Sequence, residues 1–150
     1  VSAQNLALHK PTRQSSTYPP EYGNYYTSDK AVDGGSYFFA HTANGQSPAY
    51  WIVDLESNVE IHAVKVTHRV DCCFEELGDF DVEIFCHDPV DNPSAQALLC
   101  YHYTGSMPAG ATETLNCAQP TCGRYLRIQK PTERLVLVEV EVLGYQYLAY

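Results

Sequence analysis

Several features are scarce or absent in this chain of 150 residues, and each absence narrows its function. Lys and Arg number nine against 18 Asp and Glu, which gives a formal net charge of -9. Nucleic-acid binding needs clustered basic side chains, so this balance argues against it. No apolar run approaches the roughly 20 residues of a membrane span, and we expect no membrane insertion. The sequence also lacks an HExxH motif, a nucleophile elbow and a phosphate-binding loop, which argues against an enzyme.

The six cysteines contain no CxxC pair, which makes a zinc site a weak interpretation. An even number of cysteines is typical of a disulfide framework in an oxidising compartment. No usable N-glycosylation acceptor is present, since Asn92 is followed by Pro93. Val1 is not an initiator and no signal peptide is visible, so we expect a processed chain. The cysteine usage predicts that it is secreted into the extracellular space.

A chain of this length normally forms one domain, and we predict a single domain over 1–150. Apolar and polar residues alternate in several short runs, which is typical of half-buried strands. The runs are 61–68, 80–86, 126–129 and 136–142, and a further apolar strand is predicted at 50–55. No helical period is sustained. The pattern predicts an all-β fold, an antiparallel β-sandwich or barrel with long loops.

The first forty residues hold seven Tyr and Phe side chains in a segment rich in Pro, Gly and Ser. They are Tyr18, Tyr22, Tyr25, Tyr26, Tyr37, Phe38 and Phe39. One interpretation is that these rings plug one end of the barrel. The other is that one or two line a ligand mouth, where an aromatic face stacks on sugar C–H groups.

A second informative segment is Arg69-Val70-Asp71-Cys72-Cys73, which follows a predicted strand. If the adjacent cysteines bond to each other, they close a very small ring and expose a flat sulfur surface. Such a disulfide would place an apolar surface next to the polar side chains of Arg69 and Asp71. A sugar needs both, because one edge carries hydroxyls and one face carries C–H groups.

The chain resembles the F-type lectins, the fucolectin group of the discoidin-like (F5/8 type C) jelly-roll sandwiches. The matching pieces follow the family's order along nearly the whole chain. They are Asn5-Leu-Ala, Ala31-Val-Asp-Gly34, His41-Thr42, Trp51-Ile-Val-Asp54, Arg69-Val-Asp-Cys-Cys73, Gly123-Arg-Tyr125 and Glu139-Val-Glu-Val142. The resemblance implies a sandwich with its ligand loops at one end.

The family's sugar motif is a His, about 26 residues, Arg-x-Asp, four residues and a base. Here 27 residues separate His41 from Arg69, and Glu76 stands where the family has Arg or Lys. The resemblance implies that His41 and Arg69 bind the sugar, that Asp71 holds Arg69, and that a Cys72–Cys73 disulfide packs on the sugar's apolar face.

A Glu at position 76 changes which hydrogen-bonding groups a ligand must present to this part of the site. A carboxylate accepts hydrogen bonds, whereas an arginine only donates them. A sugar oxygen left buried without its donor costs about 1–3 kcal/mol. We therefore expect galactose-containing ends of the N-acetyllactosamine type to be favoured over L-fucose. The alternative is that Glu76 points to solvent or pairs with Arg69, and that L-fucose is bound.

Two further expectations come from the resemblance. Family-like pairing joins Cys100 to Cys117 and leaves Cys86 and Cys122 for a third bridge. A structural Ca²⁺ would take oxygen ligands from the first loop and the last strand. The matching positions are the carbonyls of Lys30, Gly35, Phe38 and Val138, and the side chains of Asp33 and Glu139.

The resemblance implies a lectin that recognises cell-surface or microbial glycans, with agglutination and innate recognition as its biology. Single sugar sites are usually weak, so we expect homo-oligomers that gain avidity. Glu75 and Glu76 are adjacent and make a poor glycosidase pair. The remaining alternative is a discoidin-like module that binds protein or lipid through its Tyr- and Phe-rich loops.

Overall fold

The structure, a computed structural model, describes residues 3–146, apart from the side chain of Phe74. Nine strands lie within this range: β1 (Gln4–Asn5), β2 (Thr12–Gln14), β3 (Ala40–His41), β4 (Ala49–Thr67), β5 (Gly78–Phe85), β6 (Leu98–Ser106), β7 (Thr112–Lys130), β8 (Val136–Leu137) and β9 (Glu139–Gln146). Two short 3₁₀ helices, Ser28–Val32 and Phe74–Glu76, lie in the loops. No helix in this range is long and apolar enough to cross a membrane.

Seven antiparallel strands form one sheet in the order β1-β9-β4-β7-β5-β6, with β2 also paired with β4. The two remaining strands, β3 and β8, pair with each other. β4 and β7 are each 19 residues long and contribute to both layers of the sandwich. The second half of β4 pairs with β9 and with the start of β7, whereas the second half of β7 pairs with β5. The predicted antiparallel β-sandwich is therefore confirmed.

Sequence patterning located most strands but not their full extent. The predicted strands 50–55 and 61–68 are one strand, β4, whose register shifts between Asp54 and Val59. The predicted run 136–142 is two strands, because Val138 leaves the ladder and donates its N–H to the Thr67 carbonyl, 3.0 Å away.

The inner faces of the two layers bury the large apolar side chains that the alternation selects. Trp51, Phe80, Ile84 and Leu126 are all almost fully buried. The indole N–H of Trp51 donates to the carbonyl of Ser28 at 2.9 Å, so the core also holds the first 3₁₀ helix. Burial of such side chains stabilises the fold by roughly 1.5–3 kcal/mol each, and the rigid frame fixes the loops at its ends.

Candidate functional site

His41 lies on β3, a two-residue strand that pairs with β8. Its Nδ1 is 2.6 Å from the carbonyl oxygen of Thr42. A carbonyl only accepts, so Nδ1 carries the proton and donates. The hydroxyl of Thr42 in turn accepts the Leu135 N–H at 2.8 Å. These bonds fix the buried ring and leave Nε2 facing the Glu76 carboxylate.

Arg69 follows the end of β4, and its carbonyl accepts the Gly110 N–H at 2.8 Å. Its Nε and Nη2 each donate to one oxygen of Asp71 at 2.8 Å. The Phe39 ring lies 4.6 Å from the guanidinium carbon. The hydrogen bonds to Asp71 raise the pKa of Arg69 although burial opposes this. The guanidinium is therefore held as a fixed, charged fork.

Glu76 lies in the second 3₁₀ helix and is 4% exposed. One carboxylate oxygen accepts from Arg69 Nη1 at 3.0 Å, and the other is 3.5 Å from His41 Nε2. Burial alone would raise the pKa of Glu76, but His41 and Arg69 outweigh it and the pKa lies below its ordinary value. The sequence left open whether Glu76 points to solvent or pairs with Arg69. In the structure the Glu76 carboxylate is buried and pairs with Arg69.

These groups line one cavity of about 270 Å³. The sequence-predicted His41, Arg69, Glu76, Cys72 and Cys73 all contribute to its wall, and Asp71 supports it through Arg69. The other lining residues are Tyr18, Glu21, Tyr26, Phe39, Asn44 and Arg134. The cavity therefore combines buried hydrogen-bonding groups with an apolar sulfur and aromatic surface.

None of the seven rings of the aromatic segment is a buried core residue, and three of them line the cavity, as the second interpretation predicts. Tyr18, Tyr26 and Phe39 pack around His41, with the Tyr18 and His41 ring centroids 4.5 Å apart. They also line the cavity. Tyr22 and Tyr37 are instead exposed at the surface.

Sequence reasoning missed two basic residues beside this cavity. Arg134 lines it from the β7–β8 loop, with φ of 63°, and its side chain lies 3.7 Å from Glu133. Lys130 is buried, its Nζ donates to the Glu75 carbonyl at 3.3 Å, and burial lowers its pKa. Neither belongs to a short motif. The signal available was the basic pair flanking Pro131, which the topology brings next to the second 3₁₀ helix.

The structure contains the Cys72–Cys73 and Cys100–Cys117 disulfides. The predicted third bridge does not form, since Cys86 and Cys122 are exposed free thiols. The two cysteines are nevertheless neighbours, because Cys86 Sγ lies 3.9 Å from the carbonyl oxygen of Cys122.

Two of the predicted calcium ligands, the carboxylates of Asp33 and Glu139, lie next to each other at the start of β9. One oxygen of Glu139 accepts the Gly34 N–H at 3.0 Å, and the other is buried without a hydrogen-bond partner. Burial, together with the neighbouring Asp33 carboxylate, raises the pKa of Glu139 to about 8. Residues 3–146 hold no metal-ligating cluster of three or more His, Cys, Asp or Glu side chains. The predicted set supplies only two carboxylates, and its other donors are carbonyls.

The unpaired, buried oxygen of Glu139 lies beside the Asp33 carboxylate, an arrangement that a bound cation would stabilise. Hard oxygen donors of this kind suit Ca²⁺. The residues present therefore fit that ion.

Comparison with known proteins shows the family of this chain. Residues 30–128 match the family model described as a NedA-like, galactose-binding domain of the F5/F8 type C group. Fucolectin-6 of Anguilla japonica is 34% identical, with 93% of this chain and 75% of that protein covered. Fucolectin of Anguilla anguilla is 33% identical, with 93% of this chain and 90% of that protein covered.

Solved structures of lectins are similar to this chain. The f-lectin (fucolectin) from Morone saxatilis (striped bass) serum matches 96% of this chain with a TM-score of 0.82 and 27% identity. The chain spans 50% of the length of that lectin. The lectin domain of Lectinolysin, solved with Lewis B antigen, matches 99% of this chain and 100% of that domain, with a TM-score of 0.75 and 28% identity. The chain belongs to the F-type lectin (fucolectin) family, with the discoidin-like fold, and is a carbohydrate-binding lectin and not an enzyme.

Proposed function

We propose that the cavity around His41, Arg69 and Glu76 binds the terminal sugar of a glycan, with galactosides favoured over L-fucosides. The observation that carries this proposal is the buried carboxylate of Glu76, which faces both other groups. It changes the hydrogen bonds that the cavity offers to a sugar.

Arg69 retains donors for a ligand. A guanidinium has five N–H groups, and three of them are used by Asp71 and Glu76, so two remain. They can donate to two sugar oxygens without breaking either ion pair. The Cys72–Cys73 disulfide offers an apolar surface to the C–H face of the ring.

Glu76 favours a ligand with hydroxyl hydrogens to donate. Each carboxylate oxygen accepts more than one hydrogen bond, so both retain capacity beside His41 and Arg69. L-Fucose is a 6-deoxy sugar, whereas D-galactose shares its axial hydroxyl and adds a hydroxyl at C6. That added hydroxyl can donate to Glu76, which is the physical reason to rank N-acetyllactosamine-type ends first.

L-Fucose is the second candidate, because Arg134 lines the cavity and is a donor that the Glu76 corner lacks. The curated relatives are named fucolectins, which supports the same candidate. On this view Arg134 supplies the missing base, and Glu76 only fixes Arg69.

We also propose a structural Ca²⁺ held by the carboxylates of Asp33 and Glu139 with carbonyls of Lys30, Gly35, Phe38 and Val138. The unpaired oxygen of Glu139 supports it. The ion would neutralise two neighbouring carboxylates and join the first loop to the last strand.

Secretion is proposed on the two disulfides and on the serum source of the striped bass relative. Homo-oligomers that engage cell-surface or microbial glycans remain our expectation.

A glycan array with calcium tests the proposal, using the wild type, Glu76→Arg and Arg134→Gln. Binding to terminal galactosides that Glu76→Arg weakens supports the first candidate. Binding to α-L-fucosides that Arg134→Gln weakens supports the second. Absence of any glycan signal from the folded wild type contradicts both, and liposome co-sedimentation would then test the lipid-binding alternative.

A further inference from the structure

Two side chains of opposite charge are buried near each other beside the cavity. Within residues 3–146, the Asp, Glu, Lys and Arg side chains that are buried are Glu76, at 4% exposed, and Lys130, at 5%. Side chains of these types are almost never buried without a compensating partner. Glu76 has one partner in Arg69. Lys130 needs another explanation than contact with a sugar, because it is not among the described residues that line the cavity.

Lys130 is the last residue of β7, and its ammonium contacts the segment that carries Glu76. Its Nζ donates to the carbonyl of Glu75 at 3.3 Å, one residue before Glu76. Burial lowers the pKa of Lys130, and the nearby Arg134 lowers it further. Three carboxylates favour the charged ammonium instead, those of Glu76, Asp79 and Glu75. Asp79 and Glu75 are exposed, so water and salt screen them more than Glu76. The buried carboxylate that Lys130 senses is therefore that of Glu76.

The segment that carries Glu76 has little structure of its own. The second 3₁₀ helix is three residues long, and the Glu76 N–H donates to the Cys73 carbonyl at 2.9 Å. A single helical turn is unstable in isolation, because it fixes several residues for few hydrogen bonds. The carbonyl of Leu77, which follows the helix, accepts a backbone N–H at 2.8 Å. The bond from Lys130 to Glu75 adds a tether within the helix itself.

We propose that Lys130 is a positioning residue, which holds the Glu75–Glu76 segment so that the Glu76 carboxylate faces into the cavity. This inference rests on the proposed function of the cavity. Lys130 acts through Glu76 in two ways. Its hydrogen bond fixes the preceding carbonyl, and its positive charge favours the ionised carboxylate from outside the cavity wall. In either candidate function Glu76 needs this orientation, whether it accepts from the sugar or only holds Arg69.

A double-mutant cycle by isothermal titration calorimetry with calcium present tests the proposal. It compares the wild type, Lys130→Met, Glu76→Gln and the double variant, with methyl β-D-galactoside and methyl α-L-fucoside as probes. Met keeps a long unbranched side chain without the charge or the N–H donors. Lys130→Met should weaken binding of the tighter probe by at least about twofold, since side chains that share a contact couple by about 0.5 kcal/mol or more. In the Glu76→Gln background it should have little further effect.

A second readout needs no sugar. Carbon NMR of the Glu76 carboxylate should show a higher pKa in Lys130→Met than in the wild type, because loss of a nearby positive charge disfavours the ionised form. Where Glu76→Gln binds neither probe, this titration decides the outcome. Where Lys130→Met does not fold, Lys130→Gln takes its place, since it also removes the charge.

Leu115→Ala is the control for a general loss of stability. Leu115 is buried in the same strand as Lys130 and is not among the described residues of the cavity wall. The variant should lower the melting temperature because it leaves a cavity in the core. It should change neither sugar affinity nor the pKa of Glu76.

The outcomes separate the two proposals. An equal loss of affinity in both backgrounds, no loss at all, or an unchanged pKa of Glu76 in folded Lys130→Met overturns the positioning role and leaves the proposed function intact. An equal loss in Leu115→Ala also overturns it, because reduced stability would then explain the effect. If neither probe binds the folded wild type, the proposed function fails, and the role of Lys130 in sugar binding fails with it.

Discussion

Glu76 and Glu139 are the same residue type in two settings. Glu76 is buried in the cavity lined by His41 and Arg69, which we call the sugar cavity, and Glu139 is half-buried at the start of β9. Glu76 faces His41 and Arg69, and its pKa lies below the ordinary value. Glu139 has one N–H from Gly34 and the Asp33 carboxylate beside it, and its pKa is raised to about 8. Burial raises the pKa in both places, so the neighbours decide the direction.

The difference indicates what each region requires from outside. The sugar cavity contains its own cation, Arg69, so its carboxylate is ionised and fixed before any ligand arrives. The Asp33–Glu139 region contains two carboxylates and lacks a cation, so a bound metal would supply the missing charge. Variants that change one of the two regions at a time test this contrast.

The largest expected effect follows from removing the charge of Glu76. A buried charge pair that loses one partner costs about 3–5 kcal/mol, and Arg69 would keep only its pair with the exposed carboxylate of Asp71. Glu76→Gln should therefore lower the free energy of unfolding by about that amount in a denaturant titration with calcium present. Glu75→Gln is the control, since Glu75 is exposed in the same 3₁₀ helix and should stay within about 0.5 kcal/mol of wild type. Equal effects in the two variants would contradict the buried pair.

Lowering the pH should reduce the stability difference between the wild type and Glu76→Gln. Because the folded-state pKa of Glu76 is below its unfolded value of 4.5, the folded chain binds fewer protons at this group. Its contribution is complete above about pH 4.5 and is lost as the pH falls through the folded pKa. The difference in unfolding free energy between wild type and Glu76→Gln should therefore be smaller at pH 3 than at pH 7. A constant difference across that range would argue that the carboxylate acts through its shape and not its charge.

The sequence predicted the members of the sugar cavity but not their mutual bonds. The motif brought His41, Arg69 and the Cys72–Cys73 pair together because their spacing matches a known fold. The Arg69–Glu76 pair stayed an open alternative, since it depends on how the second 3₁₀ helix turns the side chain inward. Arg134 was missed because only the β3–β8 pairing brings its loop to the cavity.

The strands show a similar limit. Alternation identified β5 because its inward positions are apolar and buried, as at Phe80, Val82 and Ile84. β6 and the first half of β7 were missed. Leu115 is the one buried residue in 112–118, and Cys100 is the one buried residue in β6. Edge segments that bury so little carry no clear period of two, and pairing with neighbouring strands determines their structure.

Calcium should have the next largest effect. A ligand that binds only the folded state at 100 times its Kd stabilises it by about 2.7 kcal/mol. The melting temperature should therefore rise when calcium is added to EDTA-treated protein, and Glu139→Gln should abolish the rise. Glu141→Gln serves as the control, because Glu141 lies on the same strand but faces Lys65 at 3.7 Å. A melting temperature that calcium leaves unchanged in the wild type would count against the site.

The smallest effect on stability is expected for Asp71→Asn, although this residue supports the sugar cavity directly. The Asp71 side chain is 61% exposed, so its pair with Arg69 should contribute at most about 1 kcal/mol. Sugar affinity should fall more noticeably, because Asp71 accepts from both Nε and Nη2 and fixes the orientation of the remaining guanidinium donors.

Asp54→Asn is the matched control for that variant. Asp54 accepts from Arg124 in the same two-bond manner, at 2.8 and 3.0 Å, and neither residue lines the sugar cavity. The Asp54 side chain is 25% exposed and also accepts the Glu56 N–H, so Asp54→Asn should lower the unfolding free energy at least as much as Asp71→Asn. Asp71→Asn alone should weaken binding of the sugar that the array identifies. If Asp54→Asn weakened sugar binding equally, loss of any two-bond Arg–Asp ion pair on the sandwich would be enough to weaken it. The orientation of Arg69 by Asp71 would then have no specific role.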